Sequence, residues 1–127
     1  MSNALSGKRV LVVEDEMTIL LMIVDALFDM GCTSVLSAAS VGQAIDQINA
    51  NDIDVVLLDI NLNGISSYPV ADLLLELETP FIFSTGYGAD RLPRAYDGVI
   101  VLKKPYPFRE LERAFEQVLR PVTSQAA

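Results

Sequence analysis

The chain has 127 residues, which is enough for one domain with a sizeable apolar core. Its 17 acidic and 9 basic residues give a net charge of −8, so direct binding to nucleic acid is not expected, because the phosphates would be repelled. The absence of histidine excludes a Ser-His-Asp triad, histidine metal ligands and a phosphohistidine on this chain, and a single cysteine excludes an internal disulfide.

No targeting or membrane segment is evident. The N-terminus has no basic region followed by an apolar block, and the longest apolar run, Ile19–Val24, is far shorter than the roughly 20 residues of a spanning helix. We therefore expect a cytoplasmic protein without membrane insertion. Because no linker or repeat interrupts the pattern, we expect one domain over residues 1–127, with a core at about 8–120 and a tail at 121–127.

Strands and helices alternate from the start of the chain. A strand at Lys8–Val13 ends in three acidic residues, and apolar residues at helical spacing predict a helix over Met17–Met30. A short strand follows at Thr33–Ala38. Ser40, with Gln43 three residues later, then resembles the capping box that begins a second helix.

The third strand is an uninterrupted apolar run that ends at Asp59, which indicates a strand buried on both faces. A polar loop through Gly64 precedes a helix over Val70–Glu78, and Pro69 can occupy its first turn. The fourth strand is Thr79–Gly86.

The last part of the chain contains the weakest prediction. The stretch Tyr87–Asp97 has poor helix propensity and room for at most two turns, so we expect a short or mobile fourth helix. Val99–Leu102 is a fifth strand, and Pro107 begins a final amphipathic helix. Five strands alternating with helices predict a doubly wound parallel sheet of order 2-1-3-4-5.

Polar side chains follow four of these strands: Glu14 and Asp15 after the first, Asp59 after the third, Thr85 after the fourth and Lys104 after the fifth. The carboxyl ends of parallel strands meet at one edge, so we expect three carboxylates to converge there. Two charges about 4 Å apart repel by roughly 4 kcal/mol at an effective dielectric near 20. A hard cation such as Mg²⁺, which prefers oxygen ligands, would offset this repulsion.

This set of residues resembles the receiver domains of two-component response regulators, over about residues 8–120. The match consists of four short motifs, which are Glu14-Asp15, Asp59 with Leu62 and Gly64, Thr85-Gly86, and Lys104-Pro105. The resemblance implies a flavodoxin-like fold. It also implies that the chain is a signalling module rather than an enzyme, although receivers promote their own phosphotransfer and slow autodephosphorylation.

The resemblance assigns a role to each residue. Asp59 would accept a phosphoryl group from the phosphohistidine of a sensor histidine kinase or a phosphotransfer protein. Mg²⁺ would be held by Glu14, Asp15, Asp59 and the backbone carbonyl of Asn61. Thr85 would bind the phosphoryl oxygens by a hydrogen bond, and Lys104 would bind them by its positive charge. Such positioning and charge neutralisation are what phosphoryl transfer mainly requires.

One feature departs from the usual receiver pattern, since Val101 stands where receivers carry an aromatic switch residue. The sequence Phe83-Ser84-Thr85-Gly86-Tyr87 is similar to that of the stand-alone FATGUY receivers, which are often paired with kinases of the HWE or HisKA2 type. We therefore assign the switch and partner contacts to Thr85, Tyr87 and Tyr106. We expect phosphorylation to order residues 87–96, and the output to be contact with a downstream protein or drainage of phosphate from a shared kinase.

Two other classes of protein are alternative interpretations of this sequence. A Mg²⁺-dependent phosphohydrolase of similar fold commonly has a second aspartate two residues after the nucleophile, where this chain has Asn61. A flavodoxin-like cofactor binder needs a phosphate-binding loop after the first strand, where this chain has three acidic residues that would repel a phosphate.

Overall fold

The computed structural model describes residues 3–86 and 92–120 and contains a five-stranded parallel sheet flanked by helices. The strand order is β2-β1-β3-β6-β7, which confirms the predicted order, with β6 and β7 as the predicted fourth and fifth strands. The strands of this sheet are β1 Arg9–Val13, β2 Ser34–Ala38, β3 Val55–Asp59, β6 Phe81–Thr85 and β7 Ile100–Lys103. The helices are α1 Met17–Asp29, α2 Val41–Ala50, α3 Tyr68–Leu77 and α4 Phe108–Val118.

The sheet separates two apolar cores. Alternate residues of β3 face opposite sides, so Val55 and Leu57 pack in the core under α1 and α4, while Val56 and Leu58 pack in the core under α2 and α3. We call these the α1/α4 core and the α2/α3 core. All five residues of β3 are buried, which explains why its sequence is apolar without alternation.

The loop predicted after Asp59 is a small β-hairpin. Its strands are β4 Asn61–Leu62 and β5 Ile65–Ser66, and they pair in antiparallel fashion. The two turn residues, Asn63 and Gly64, both have positive φ angles of 54° and 83°, as a two-residue hairpin turn requires. Helix α3 then begins at Tyr68, two residues earlier than predicted, with Pro69 in its first turn.

The start of α2 confirms the predicted cap. The Ser40 Oγ atom accepts a hydrogen bond of 3.2 Å from the backbone N–H of Gln43. The Gln43 side chain accepts a bond from the backbone N–H of Ala39, one residue before the position that a capping box uses. The helix start is therefore satisfied by a variant of the motif.

The described part of the connection from β6 to β7, residues 92–99, contains no α-helix, and the rest of the stretch predicted as a short or mobile helix, Tyr87–Asp97, is not described. Residues 87–91 lie outside the described residues, and Arg94–Tyr96 form one turn of 3-10 helix. The hypothesis that phosphorylation orders residues 87–96 concerns a segment of which 87–91 are not described, and it stays a prediction.

Two apolar side chains at helix ends are exposed. Leu77 and Phe108 are 51% and 42% exposed, because they are the last residue of α3 and the first of α4. Leu111 and Phe115, within α4, are buried. Among residues 3–86 and 92–120, no helix combines the length and the apolar character needed to cross a membrane.

Candidate functional site

The predicted polar residues meet at the carboxyl edge of the main sheet. Glu14 and Asp15 follow β1, Asp59 ends β3, Thr85 ends β6 and Lys104 follows β7. These strands are neighbours in the order β1-β3-β6-β7, so residues distant in sequence are placed side by side.

Three carboxylates form a compact cluster at this edge. One oxygen from each of Glu14, Asp15 and Asp59 lies within 4.8 Å of the other two. Glu14 and Asp59 are 2% and 5% exposed, whereas Asp15 is half-buried. The cluster is therefore open to solvent mainly on the side of Asp15.

Lys104 bridges two of these carboxylates. Its Nζ atom donates hydrogen bonds of 2.7 Å to Glu14 Oε1 and 2.9 Å to Asp59 Oδ2. Three carboxylates and one ammonium still leave two negative charges uncompensated. A divalent cation that prefers oxygen ligands, such as Mg²⁺, matches both the charge and the chemistry of this donor set.

Burial and ion pairing act in opposite directions on the charged groups. Burial raises the pKa of Glu14, and the hydrogen bonds from Lys104 and the Glu16 backbone only partly counter it. For Lys104, burial alone would lower the pKa, but the hydrogen bonds and the charge attraction to Glu14 and Asp59 together outweigh it, and the pKa is raised. Lys104 is therefore an ammonium throughout the neutral range.

The hairpin after β3 orients Asp59. The backbone N–H of Asn61 donates a hydrogen bond of 3.2 Å to Asp59 Oδ1. The Asn61 side chain is used in the turn, where its Oδ1 accepts a bond of 2.7 Å from the Gly64 backbone. Main-chain groups of Asn61 therefore lie beside the carboxylate, and metal binding by its carbonyl stays a prediction.

Backbone hydrogen bonds hold the ends of β6 and β7 in position. The backbone N–H of Lys104 donates a bond of 2.7 Å to the Thr85 carbonyl, and that of Ile60 donates one of 2.9 Å to the Ser84 carbonyl. Thr85 is 8% exposed. The backbone at Thr85 and Lys104, from which both side chains extend at the edge of the site, is therefore held in place by hydrogen bonds.

Of the three residues assigned to a switch, Thr85 and Tyr106 are among the described residues. Tyr87 lies outside the described residues. Tyr106 is half-buried against the α1/α4 core, with its hydroxyl 3.5 Å from Ser84 Oγ, and burial raises its pKa. Val101, in the usual aromatic position, packs against the α2/α3 core.

An aromatic cluster that was not predicted from the sequence lies beside β6. The Tyr96 ring lies 5.4 Å from Phe83 and 5.2 Å from Tyr68, measured between centroids. The signal in the sequence was a tyrosine within a weakly helical stretch, but its partners come from two other elements. Only the folded chain brings them together.

The chain is similar to known proteins in both sequence and structure. The family model of the response regulator receiver domain matches residues 10–116. Among curated proteins, the transcriptional regulatory protein YvrH of Bacillus subtilis is 34% identical over 87 residues, covering 68% of this chain and 37% of YvrH. The chain spans less than half the length of the curated relatives it matches, between 37% and 44%.

Solved structures give matches over nearly complete chains. The solution structure of SdrG from Sphingomonas melonis Fr1 has a TM-score of 0.79 at 34% identity, covering 94% of this chain and 99% of SdrG. The response regulator TrrA from Thermotoga maritima, in complex with Mg²⁺ and BeF, also has a TM-score of 0.79, at 27% identity, covering 88% of this chain and 99% of TrrA.

Proposed function

Because the chain belongs to the response regulator receiver domain family, we propose that Asp59 is the residue that accepts a phosphoryl group in a two-component phosphorelay. The observation that carries this assignment is the position of Asp59, which is held between the Lys104 ammonium and the Asn61 backbone N–H and lies beside two further carboxylates. A carboxylate in such surroundings is held in a fixed orientation, as a nucleophile must be.

In the proposed reaction, an Asp59 carboxylate oxygen attacks the phosphorus of a phosphohistidine. An O–P bond forms, the N–P bond breaks, and the imidazole of the partner leaves with the electron pair and takes up a proton. These 127 residues contain no histidine, so the phosphohistidine comes from outside them. Water later attacks the acyl phosphate slowly, which returns the carboxylate and releases phosphate.

Lys104 and Thr85 bind the oxygens of the transferred group. The Lys104 ammonium is already 2.9 Å from Asp59 Oδ2, so it can pair with a phosphoryl oxygen with little movement. The Thr85 hydroxyl, at the end of the adjacent strand, would donate a hydrogen bond. Such preorganised donors stabilise negative charge as it develops in the transition state.

The acidic cluster fits Mg²⁺, and we assign Glu14, Asp15, Asp59 and the Asn61 carbonyl as the groups that hold it. The supporting observation is the donor set, in which three carboxylate oxygens lie within 4.8 Å of one another. When bound, the ion supplies positive charge that offsets repulsion between the carboxylates and the incoming phosphoryl oxygens.

The proposed partners are a sensor histidine kinase, of the HWE or HisKA2 type, or a phosphotransfer protein, together with a downstream protein. Thr85, Tyr87 and Tyr106 are assigned to the switch and to these contacts. We propose that residues 1–127 act as one domain in the cytoplasm, where such kinases present their phosphohistidine.

The phosphohydrolase alternative has no support among the described contacts. Its second acid would occupy position 61, and the Asn61 side chain instead accepts a hydrogen bond from Gly64 within the hairpin turn. A carboxamide has no proton that titrates near neutral pH, so Asn61 cannot serve as the general acid or base of hydrolysis.

Intact-mass measurement with acetyl phosphate and Mg²⁺ tests the proposal. We expect the wild type to gain the mass of one phosphoryl group and Asp59→Asn to gain none. Asp52→Asn is the matched control. It removes an exposed carboxylate that precedes β3, far from the end of the strand where Asp59 lies, and this variant should gain one phosphoryl group like the wild type. Labelling of Asp59→Asn at the wild-type level would assign the nucleophile to another residue.

A further inference from the structure

A strong hydrogen bond links the segment before β7 to α3. Tyr96, in the 3-10 turn, is 4% exposed and donates a bond of 2.6 Å to Oδ1 of Asp72, an exposed residue of α3. The same hydroxyl lies 3.4 Å from the Tyr68 carbonyl oxygen. Bonds to a carboxylate are shorter and stronger than those between neutral groups, so this contact fixes where the Tyr96 ring lies.

The Tyr96 ring also packs against the strand that carries Thr85. Its centroid is 5.4 Å from that of Phe83, in an edge-to-face arrangement with an interplanar angle of 77°. Phe83 and Thr85 are two residues apart on β6, so their side chains project from the same face of the sheet. Phe83 therefore contacts Tyr96 and is the next residue to Thr85 on the same face of β6.

We propose that Tyr96 is a conformational switch residue, held by Asp72 in the position seen here and displaced from it when a phosphoryl group occupies the Asp59 site. This inference rests on the proposed function, because it requires Thr85 to respond to that group. A shift of Thr85 toward the phosphoryl oxygens changes the packing around Phe83. Close-packed interiors respond to such a change by moving to a second discrete arrangement.

The position of the acceptor makes this contact suitable for a switch. Asp72 is exposed, so water can solvate its carboxylate when the tyrosine hydroxyl leaves. The bond to Asp72 therefore favours one position of the ring without making the other inaccessible. By linkage, removing this bond should raise the affinity of the site for a phosphoryl analogue.

The test uses the full chain with Mg²⁺, titrated with beryllofluoride and followed by the NMR signals of the backbone amides. The variants are Tyr96→Phe, which keeps the ring, and Asp72→Ala, which removes the acceptor. We expect the apparent affinity of each to rise about 5- to 10-fold, because each lacks the contact that holds the unliganded position. In the wild type, the signals of residues 72 and 96 should change at the same midpoint as those of residues 59, 85 and 104.

Two further variants make the result specific. Glu76→Ala removes another exposed carboxylate from α3 and should bind beryllofluoride like the wild type. The double variant Tyr96→Phe/Asp72→Ala should bind no more tightly than either single variant, because all three lack the same contact. Additive gains would mean that the two residues act separately and would overturn the proposal.

The remaining outcomes separate this inference from the proposed function. If residues 59, 85 and 104 respond to beryllofluoride while Tyr96→Phe and Asp72→Ala bind with unchanged or lower affinity, the switch is wrong and the proposed function stands. If residues 59, 85 and 104 of the wild type do not respond, the proposed function fails and this inference fails with it. Should Tyr96→Phe not fold, Asp72→Ala decides, since its substitution is at an exposed helical position.

Discussion

Lys104 Nζ lies 2.7 Å from Glu14 Oε1, although the two residues are 90 positions apart in the sequence. Their side chains are 15% and 1% exposed, so this is a largely buried ion pair that joins the loop after β7 to the loop after β1. A buried charge is stable only while its partner is present, because desolvation of the remaining charge is costly. The pair therefore connects the stability of the domain to the chemistry of the site.

Replacement of Lys104 by methionine should lower stability and make it depend on Mg²⁺. Methionine keeps the aliphatic stem but leaves Glu14 and Asp59 without their counter-charge, and we expect a loss of about 1–3 kcal/mol in the free energy of unfolding. Saturating Mg²⁺ should restore part of this loss, since a bound cation offsets the same charges. Urea denaturation with and without Mg²⁺ measures both effects.

Lys103→Met is the control for this substitution, because Lys103 is the adjacent lysine and is exposed. It should change the free energy of unfolding by less than about 0.5 kcal/mol. Equal stability of the two variants, in the presence and absence of Mg²⁺, would show that the Lys104 ion pairs do not stabilise the fold.

Replacement of Asp15 by asparagine should weaken Mg²⁺ binding at least about tenfold, because the site loses one of its three negative ligands. The metal-free variant should be as stable as the wild type or more stable, since repulsion within the cluster is reduced. Calorimetric titration with Mg²⁺ measures the affinity. Glu16→Gln removes the next, exposed carboxylate and should bind Mg²⁺ like the wild type, and equal weakening by both variants would contradict a specific role for Asp15.

Two serines at helix starts should differ in their effect on stability. Ser67 precedes α3, is 0% exposed, and its Oγ has no hydrogen-bond partner among residues 3–86 and 92–120. Ser67→Ala should therefore leave the free energy of unfolding unchanged or raise it by up to about 1 kcal/mol. Ser40→Ala, which removes a real cap, should lower it by about 1 kcal/mol. Urea denaturation of both variants is the measurement, and a comparable loss in the two would mean that the Ser67 hydroxyl is satisfied.

Tyr96 should make stability depend on alkaline pH. Burial, together with its bond to Asp72, raises the pKa of Tyr96 above its ordinary value of 10.0, so the folded chain holds this proton more tightly than the unfolded chain. The stability that this shift contributes is fully present below the pKa of the unfolded chain. It is lost as the pH rises from that value through the pKa of Tyr96 in the folded chain. The stability advantage of the wild type over Tyr96→Phe should therefore shrink between about pH 8 and about pH 11. Denaturation curves at both pH values check this, and a constant difference would contradict it.

Much of the fold follows from local sequence patterns. The apolar run of β3 predicted a strand buried on both faces, and the alternation of strands with amphipathic helices predicted the order of the sheet, because right-handed crossovers leave few arrangements. The hairpin at Asn61–Ser66 was not predicted, although Asn63 and Gly64 form the sequence that its turn requires. Its strands have two residues each, too short to produce a periodic pattern.

Local sequence patterns are enough to predict which polar residues end which strands, and hence that one edge of the sheet carries Glu14, Asp15, Asp59, Thr85 and Lys104. Strand periodicity and the order of elements along the chain are local properties. They predict at which edge of the sheet a residue lies, but not the distances between side chains. Only the folded structure shows that Lys104 contacts both Glu14 and Asp59. It also shows that Tyr96 packs on Phe83 and donates a hydrogen bond to Asp72. Those contacts depend on the packing of side chains from elements far apart in the chain, for which no local pattern in the sequence exists.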